Sequence, residues 1–352
     1  MVTGRGLAGN LRQRFPAWLV GIFVVALLAA NTINIGADFA GMADAAEMLV
    51  GIDSRVFVVI FAVLISWATV RLGYNQIAGV LKWLVLVLFA YPITAFVVGA
   101  DWGQVVRATL VPSLPHSRGE WSTLVAILGT TISPYLFFWQ ASEEVEEEKA
   151  AGLKSIASRK GASLQELQLR RIDVGVGAFF SNMVMFFIIL TTAITLNRHG
   201  ITHIETSRQA AQALQPLAGK FAATLFTVGI VGVGFLAIPT LAGSAAYACA
   251  EALRWRQGLD RKMKQARSFY SIILLSTAAG VGLNFAGINP VKALYWTAVI
   301  NGLLAPFLLV TILIVASDQK LMQGQTTSRL GWVLVAITTA AMFAAGIAMF
   351  VV

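Results

Sequence analysis

The chain reads as an all-α, polytopic membrane protein. Three observations carry that reading. Of its 352 residues 57% are hydrophobic and only 12% are charged. The mean hydropathy is +0.75. The charges cluster in short segments between long apolar runs. A soluble domain is typically ~25% charged, about twice this fraction.

A helix that crosses a bilayer needs ~20 mostly apolar residues, and on that rule the sequence divides into about nine spans. They are expected at 17–50, 56–72, 80–99, 122–142, 173–196, 220–252, 268–286, 290–316 and 330–352. The first and sixth exceed one crossing, so each is expected to tilt or to extend beyond the bilayer. One transmembrane domain then fills 1–352, with polar segments at 1–16, 143–171 and 253–267.

The loops test that count. Alternate segments, starting with the one that holds Arg5, Arg12 and Arg14, carry nineteen of the 26 Lys and Arg; the other set carries seven. Lys and Arg accumulate in short cytoplasmic loops. The split therefore expects the N-terminus and the three polar segments in the cytoplasm and the C-terminus outside. The same placement accounts for the net charge of +9 and argues against a nucleic-acid partner. The bilayer is the expected partner. The first apolar run, from Trp18, has no small-residue cleavage site behind it and reads as a retained helix.

The single cysteine, Cys249, lies in an apolar run. It excludes an internal disulfide and a Cys-rich metal site, and it is expected to be a small packing residue. No HExxH, Walker or nucleophile-elbow pattern is present, so an enzyme is not expected. His116, His199 and His203 fall in outer loops and read as surface residues.

The fourth span is unlike a lipid-facing helix. Gly129-Thr130-Thr131-Ile132-Ser133-Pro134-Tyr135 sits inside an apolar run. Pro134 lacks an amide and clashes with the carbonyl of Thr130, four residues earlier. Such a break survives only where protein or a water-filled cavity covers it. There, freed carbonyls and the hydroxyls of Thr131 and Ser133 become ligands, as in the discontinuous helices of secondary transporters. Gly129 with Pro134 suggests unwinding. A proline kink patched by threonine is the bland alternative.

In the first span Asn31, Asn34 and Asp38 lie three and four residues apart and share one helical face. An acid at membrane depth is a functional candidate, so Asp38 is read as part of a proton or cation path. For the asparagines, interhelical hydrogen bonding is the stronger reading. Asp44 and Glu47 read as solvated at the outer interface. Glu143, Glu144, Glu146, Glu147 and Glu148 read as a solvated helix extension. Gly229, Gly232 and Gly234 read as packing residues before Pro239. Asn301, near Pro306 in the eighth span, is equally a ligand-shell or a packing residue.

Three runs resemble the Nramp family of divalent metal transporters, above all its divergent bacterial branch. They are Asn31-Thr32-Ile33-Asn34-Ile35-Gly36-Ala37-Asp38, the segment from Thr130-Thr131-Ile132-Ser133-Pro134-Tyr135 through Trp139 to Glu143, and Asn289-Pro290-Val291-Lys292-Ala293-Leu294. The likeness runs nearly end to end. It implies a LeuT-type bundle of two inverted repeats, placed in a bacterial inner membrane. It implies transport of Mn²⁺, Fe²⁺ and similar ions, usually with protons, and no resident cofactor. Asp38, with Asn34, then matches the proton path. Thr130 matches the residue whose carbonyl contacts the metal. Ser133 stands where the family has a metal-binding methionine, and Tyr135 where it has a histidine. Thr131 would add a hydroxyl; Asn31 and Asn301 would lie behind the ligands.

The departures carry expectations of their own. Ser133 replaces a soft thioether by a hard oxygen, which suits Mg²⁺ as well as Mn²⁺. The family's second proton-path acid falls on Gly41, and a deep glutamine falls near Ala298. The family's opening Asp-Pro-Gly helix has no counterpart here, and Met1–Ala8 resembles the loop before its third helix. The resemblance thus implies a chain without the first two helices and with part of the metal site absent. A LeuT-fold carrier for amino acids or organic cations, and a non-transporting membrane partner, remain the alternatives.

Overall fold

Backbone groups that leave water must be satisfied within their own segment, so long apolar runs fold as helices. The computed structural model describes residues 1–71, 79, 86–198, 200–259, 261–287 and 289–352. Among these every regular element is helical. The first half holds α1 (Leu7–Arg14), α2 (Ala17–Val50), α3 (Ser54–Arg71), α4 (Ala90–Val97), α5 (Trp102–Leu110), α6 (Arg118–Thr131) and α7 (Pro134–Ala150). The second holds α8 (Leu164–Arg198), α9 (Ser207–Ala211), α10 (Gln215–Ala218), α11 (Ala222–Leu253), α12 (Arg267–Asn284), α13 (Pro290–Ser317) and α14 (Arg329–Val351).

Among the described residues, seven stretches are long and apolar enough to cross a membrane: Ala17–Val50, Ser54–Arg71, Arg118–Ala150, Leu164–Asn197, Ser207–Leu253, Pro290–Ser317 and Arg329–Val351. Two of the expected spans differ. The described part of 80–99, Leu86–Val97, turns through 115° into Trp102–Leu110. Gly99 takes a positive φ of 68° at that corner. Asp101 then caps α5 by accepting the Gln104 amide at 3.1 Å. Residues 80–85 of that span, with Lys82, lie outside the described residues, as does His199. The expected span 268–286 appears as α12, 18 residues long. Its Ser271, Ser276, Thr277 and Asn284 dilute its apolar character, and it packs against α2, α3 and α11. A helix shielded by protein need not be apolar all round.

The core forms around α2, which lies against α3, α11, α12 and α13. Ile35, Phe39 and Met42 of α2 meet Ile238 and Tyr247 of α11 and Phe269 and Tyr270 of α12. At Gly36 and Gly280 the backbones of α2 and α12 nearly touch: a Cβ on Gly36 would sit 2.9 Å from the Gly280 carbonyl oxygen. A Cβ on Gly234 would overlap Met42, which fits the expected packing role of the α11 glycines. Cys249 is buried beside Leu7, Leu11, Leu27 and Phe138, again as packing.

Four of the five expected basic segments meet at one end of the bundle. The Gly9 amide donates to Glu251 at 2.9 Å. Arg159 donates to the carbonyls of Gly4, at 3.3 Å, and Leu153, at 2.9 Å. Arg14 pairs with Asp318 at 3.5 Å. The Gln325 amide group donates to the Ala162 carbonyl at 2.6 Å. The opposite end is tied by Glu47 accepting the Ser54 amide at 2.8 Å and Asp44 accepting the Ser207 amide at 3.1 Å. Asp44 and Glu47, both half-buried, therefore also anchor loops.

The segment 143–171 is not a plain loop. α7 runs to Ala150 and α8 starts at Leu164, leaving only 151–163 between them. Nor are all of its carboxylates solvated, although Glu147 is exposed. Glu144 and Glu146 are buried, at 7% and 9% exposure. Arg170 of α8 reaches Glu144 at 2.5 Å and pairs with Glu147 and Asp173. Lys149 holds Glu146 at 2.7 Å, and the Met1 ammonium group lies 3.4 Å from Glu148. The sequence gives the run of acids; it does not show that cations from distant segments converge on it.

Candidate functional site

The break in the fourth span falls at Ile132 and Ser133, between α6 and α7. The Ile132 amide makes the last α6 bond, to Leu128 at 2.8 Å. Ile132 and Ser133 then leave helical geometry, with ψ of 65° and 121°. Pro134 is the first residue of α7. A helix does not use the amide at that position, so the missing N–H is harmless there. The two halves still form one 33-residue span, Arg118–Ala150.

Gly129 has a different role from the one expected. It is helical and buried within α6. A Cβ there would overlap the Ala298 carbonyl oxygen and the Gly302 amide of α13. Gly129 serves a close helix crossing, and the unwinding begins three residues later.

The hydroxyls close the broken end of α6. Ser133 is buried and donates to the carbonyls of Gly129 at 2.9 Å and Thr130 at 3.1 Å. Thr130 is exposed and donates to Ala126 at 2.9 Å. Thr131 donates to Ile127 and Leu128 at 3.0 and 2.9 Å. The Thr130 carbonyl, expected to be free, thus accepts a hydroxyl proton. Ser133 sits where an N-cap residue would satisfy the amides of α7. It caps the preceding helix instead, and no side chain caps α7 from that position. Each hydroxyl gives away its proton and keeps oxygen lone pairs. The C-terminal carbonyl end of a helix carries partial negative charge. Tyr135, half-buried one turn on, packs against two of the core clusters.

Asn301 is 5% exposed. It precedes Gly302, whose added Cβ would overlap the Val125 carbonyl of α6. Asn301 is thus buried one residue before the point where α13 meets α6. Ala298, whose carbonyl oxygen meets Gly129, forms the same crossing.

The polar stripe on α2 divides in two. Asn31 is fully buried and donates to the Leu241 carbonyl at 2.9 Å and the Ser244 hydroxyl at 2.8 Å, both on α11. It is an interhelical tie. Asn34 differs: its Nδ2 is buried without a hydrogen-bond partner, as is Oδ1 of Asn31. Buried polar groups are nearly always paired by protein or ordered water. Asp38, half-buried, follows one turn along. Gly41 is buried, with the side-chain ends of Ile230 and Leu294 each 3.4 Å from an added Cβ.

Sequence reading missed Asn284. Its Nδ2 donates to the Gly36 carbonyl at 3.0 Å and the Gly280 carbonyl at 2.9 Å, fixing the α2–α12 crossing half a turn from Asp38. The small-residue run from Ala278 to Gly282 was the available signal. Asn289, in the third family-like run, caps α13 by accepting the Lys292 amide at 3.0 Å. Among the described residues no three His, Cys, Asp or Glu cluster as metal ligands.

The whole chain, residues 1–352, matches the family model described as natural resistance-associated macrophage protein-like. The chain belongs to the Nramp family. This Nramp protein is 25% identical over 333 residues to the divalent metal cation transporter MntH of Caldanaerobacter subterraneus subsp. tengcongensis, covering 92% of this chain and 73% of the relative. Its fold is similar to the crystal structure of a variant of the Eremococcus coleocola manganese transporter, with a TM-score of 0.64 at 17% identity. That match covers 96% of the Nramp chain and 72% of the transporter. The same transporter in complex with an aromatic bis-isothiourea substituted compound matches with a TM-score of 0.63 at 17% identity, over the same shares. The LeuT-type helical bundle is the fold they share.

Proposed function

We propose that this Nramp protein is a secondary transporter, not an enzyme, and that it moves divalent metal cations across a bilayer together with protons. Family membership and the names of the relatives support the class of cargo. The single observation that carries the reading is the interruption at Ile132–Ser133, where one serine hydroxyl closes two carbonyls of α6.

The chemistry follows from that closure. The carbonyl end of α6 attracts a cation. Rotation of Ser133 would replace its hydroxyl proton by the ion, leaving Ser133 Oγ and the Thr130 carbonyl as oxygen ligands, with Thr131 and Tyr135 alongside. An all-oxygen set suits Mn²⁺ and Mg²⁺ better than soft ions. Asp38 takes and releases the coupled proton, and the unpaired Nδ2 of Asn34 holds a water beside it. The basic end of the bundle faces the cytoplasm of a bacterial cell, which puts the C-terminus outside.

The test is a dye-loaded proteoliposome. Mn²⁺ added outside should acidify the lumen through the wild-type chain and fail to do so through D38N. Acidification by D38N at the wild-type rate removes the proton role. A wild-type chain that neither admits Mn²⁺ nor acidifies the lumen removes the transport reading.

A further inference from the structure

The basic end of the bundle holds a cavity of about 640 Å³ between the segment before α1, the turn after α7 and the loop after α11. Arg5, Lys154, Arg254, Arg256 and Arg261 line it from those three places. None of the five makes an ion pair among the described residues. The carboxylate on its wall, Glu251, is already engaged: it accepts the Gly9 amide at 2.9 Å and Gln257 Nε2 at 3.2 Å.

Two further cations on the same wall, Lys149 and Arg159, each meet a glutamate, as does Arg170 beyond it. A chain able to pair those cations has left five others converging on one concave space. All five are exposed, so water screens their mutual repulsion, and an anion seated among them would lower it further. Arg254 adds a second sign. It ends α11 with φ 58°, a left-handed conformation that usually falls to glycine. A long cation at that turn is conformationally unfavourable, and here it lines the cavity.

We infer that this cavity binds a phosphate-bearing anion. Guanidinium groups match phosphate oxygens two at a time, which favours phosphate over a monovalent ion. Two sources share that chemistry: the headgroup of an anionic lipid and a soluble polyphosphate. Trp255 and Ile156 line the same cavity and are each 38% exposed. Apolar and indole surface beside clustered cations at the end of a membrane helix suits a lipid headgroup.

The experiment uses the purified full chain in a neutral detergent. Its melting midpoint is measured with cardiolipin, with pyrophosphate, and with phosphatidylcholine as the neutral control. Either of the first two should raise the midpoint. Cardiolipin alone doing so assigns a lipid; pyrophosphate doing so assigns a soluble anion. In R254Q/R256Q the apparent affinity should fall about 10- to 30-fold. R208Q/K220Q, at the far end, should match wild type. Should the double variant not fold, native mass spectrometry of the wild type gives a second reading, in which excess pyrophosphate should compete with retained cardiolipin. No stabilisation by either probe, or stabilisation unchanged in R254Q/R256Q, overturns the inference. Retained cardiolipin indifferent to pyrophosphate and present equally in R254Q/R256Q does so as well.

Discussion

Gly129 lies so close to Ala298 that an added methyl group would overlap the Ala298 carbonyl oxygen. α6 and α13 therefore meet backbone to backbone one turn above the break, and the same contact recurs at Gly302 against Val125. Gly129→Ala and Gly302→Ala should each destabilise the protein by about 1–3 kcal/mol through overpacking. Gly282→Ala, with open space around it, should be neutral. Thermal unfolding of the three variants in detergent checks this; equal stability of all three would remove the crossing.

Asn31 ties α2 to α11 through Leu241 and Ser244. Interhelical hydrogen bonds at membrane depth are worth ~0.6 kcal/mol on average and at most about 1.7 kcal/mol. A double-mutant cycle of Asn31→Ala and Ser244→Ala should return a coupling energy in that range. Strict additivity would mean that the two side chains do not interact.

Arg170 carries three carboxylates at once. Removing it leaves Glu144, 7% exposed, without its cation. Arg170→Ala should lower stability by about 1–3 kcal/mol. Arg170→Lys should recover part of that, since one ammonium group cannot reach three partners. Matching melting curves for wild type and R170A would show the cluster to be incidental.

Asp318 lies just beyond α13, outside the spans. The backbone amide of Leu321, then that of Lys320, hold its carboxyl below the ordinary carboxylate value of 3.8, with Arg14 adding to the effect. A carboxyl depressed in the folded state stabilises above its unfolded pKa and loses that contribution as pH falls through the folded one. Wild type should therefore lose stability more steeply than D318N below pH 3.8. Melting points measured from pH 6 to pH 3 would show parallel curves if the turn contributes nothing.

Much of this was legible in the sequence because bilayer physics acts on single segments. Hydropathy found most spans, and the parity of Lys and Arg anticipated that Arg5, Lys154, Arg159 and Arg254 would share one end of the bundle. The position of the break was readable from Pro134, whose chemistry is local. What it does with its neighbours was not. The hydroxyl of Ser133 turns back onto Gly129 and Thr130 instead of capping α7, and composition does not encode that choice. Gly129 looked like a helix breaker because its partner, Ala298, lies 169 positions away in the chain. Contacts with residues distant in the chain likewise made Asp44 and Glu144, expected as surface charges, into anchors.

The claim that the broken fourth span binds the transported metal is tested most directly by saturable Mn²⁺ uptake into proteoliposomes carrying wild type, S133A or S133M. Wild-type uptake should exceed that of empty vesicles and ignore added amino acids. S133A should raise the KM for Mn²⁺, and S133M should favour Cd²⁺ over Mg²⁺ as competitor, because a thioether prefers soft ions. Uptake that amino acids suppress, with the same KM and the same competitors in all three proteins, would contradict the account.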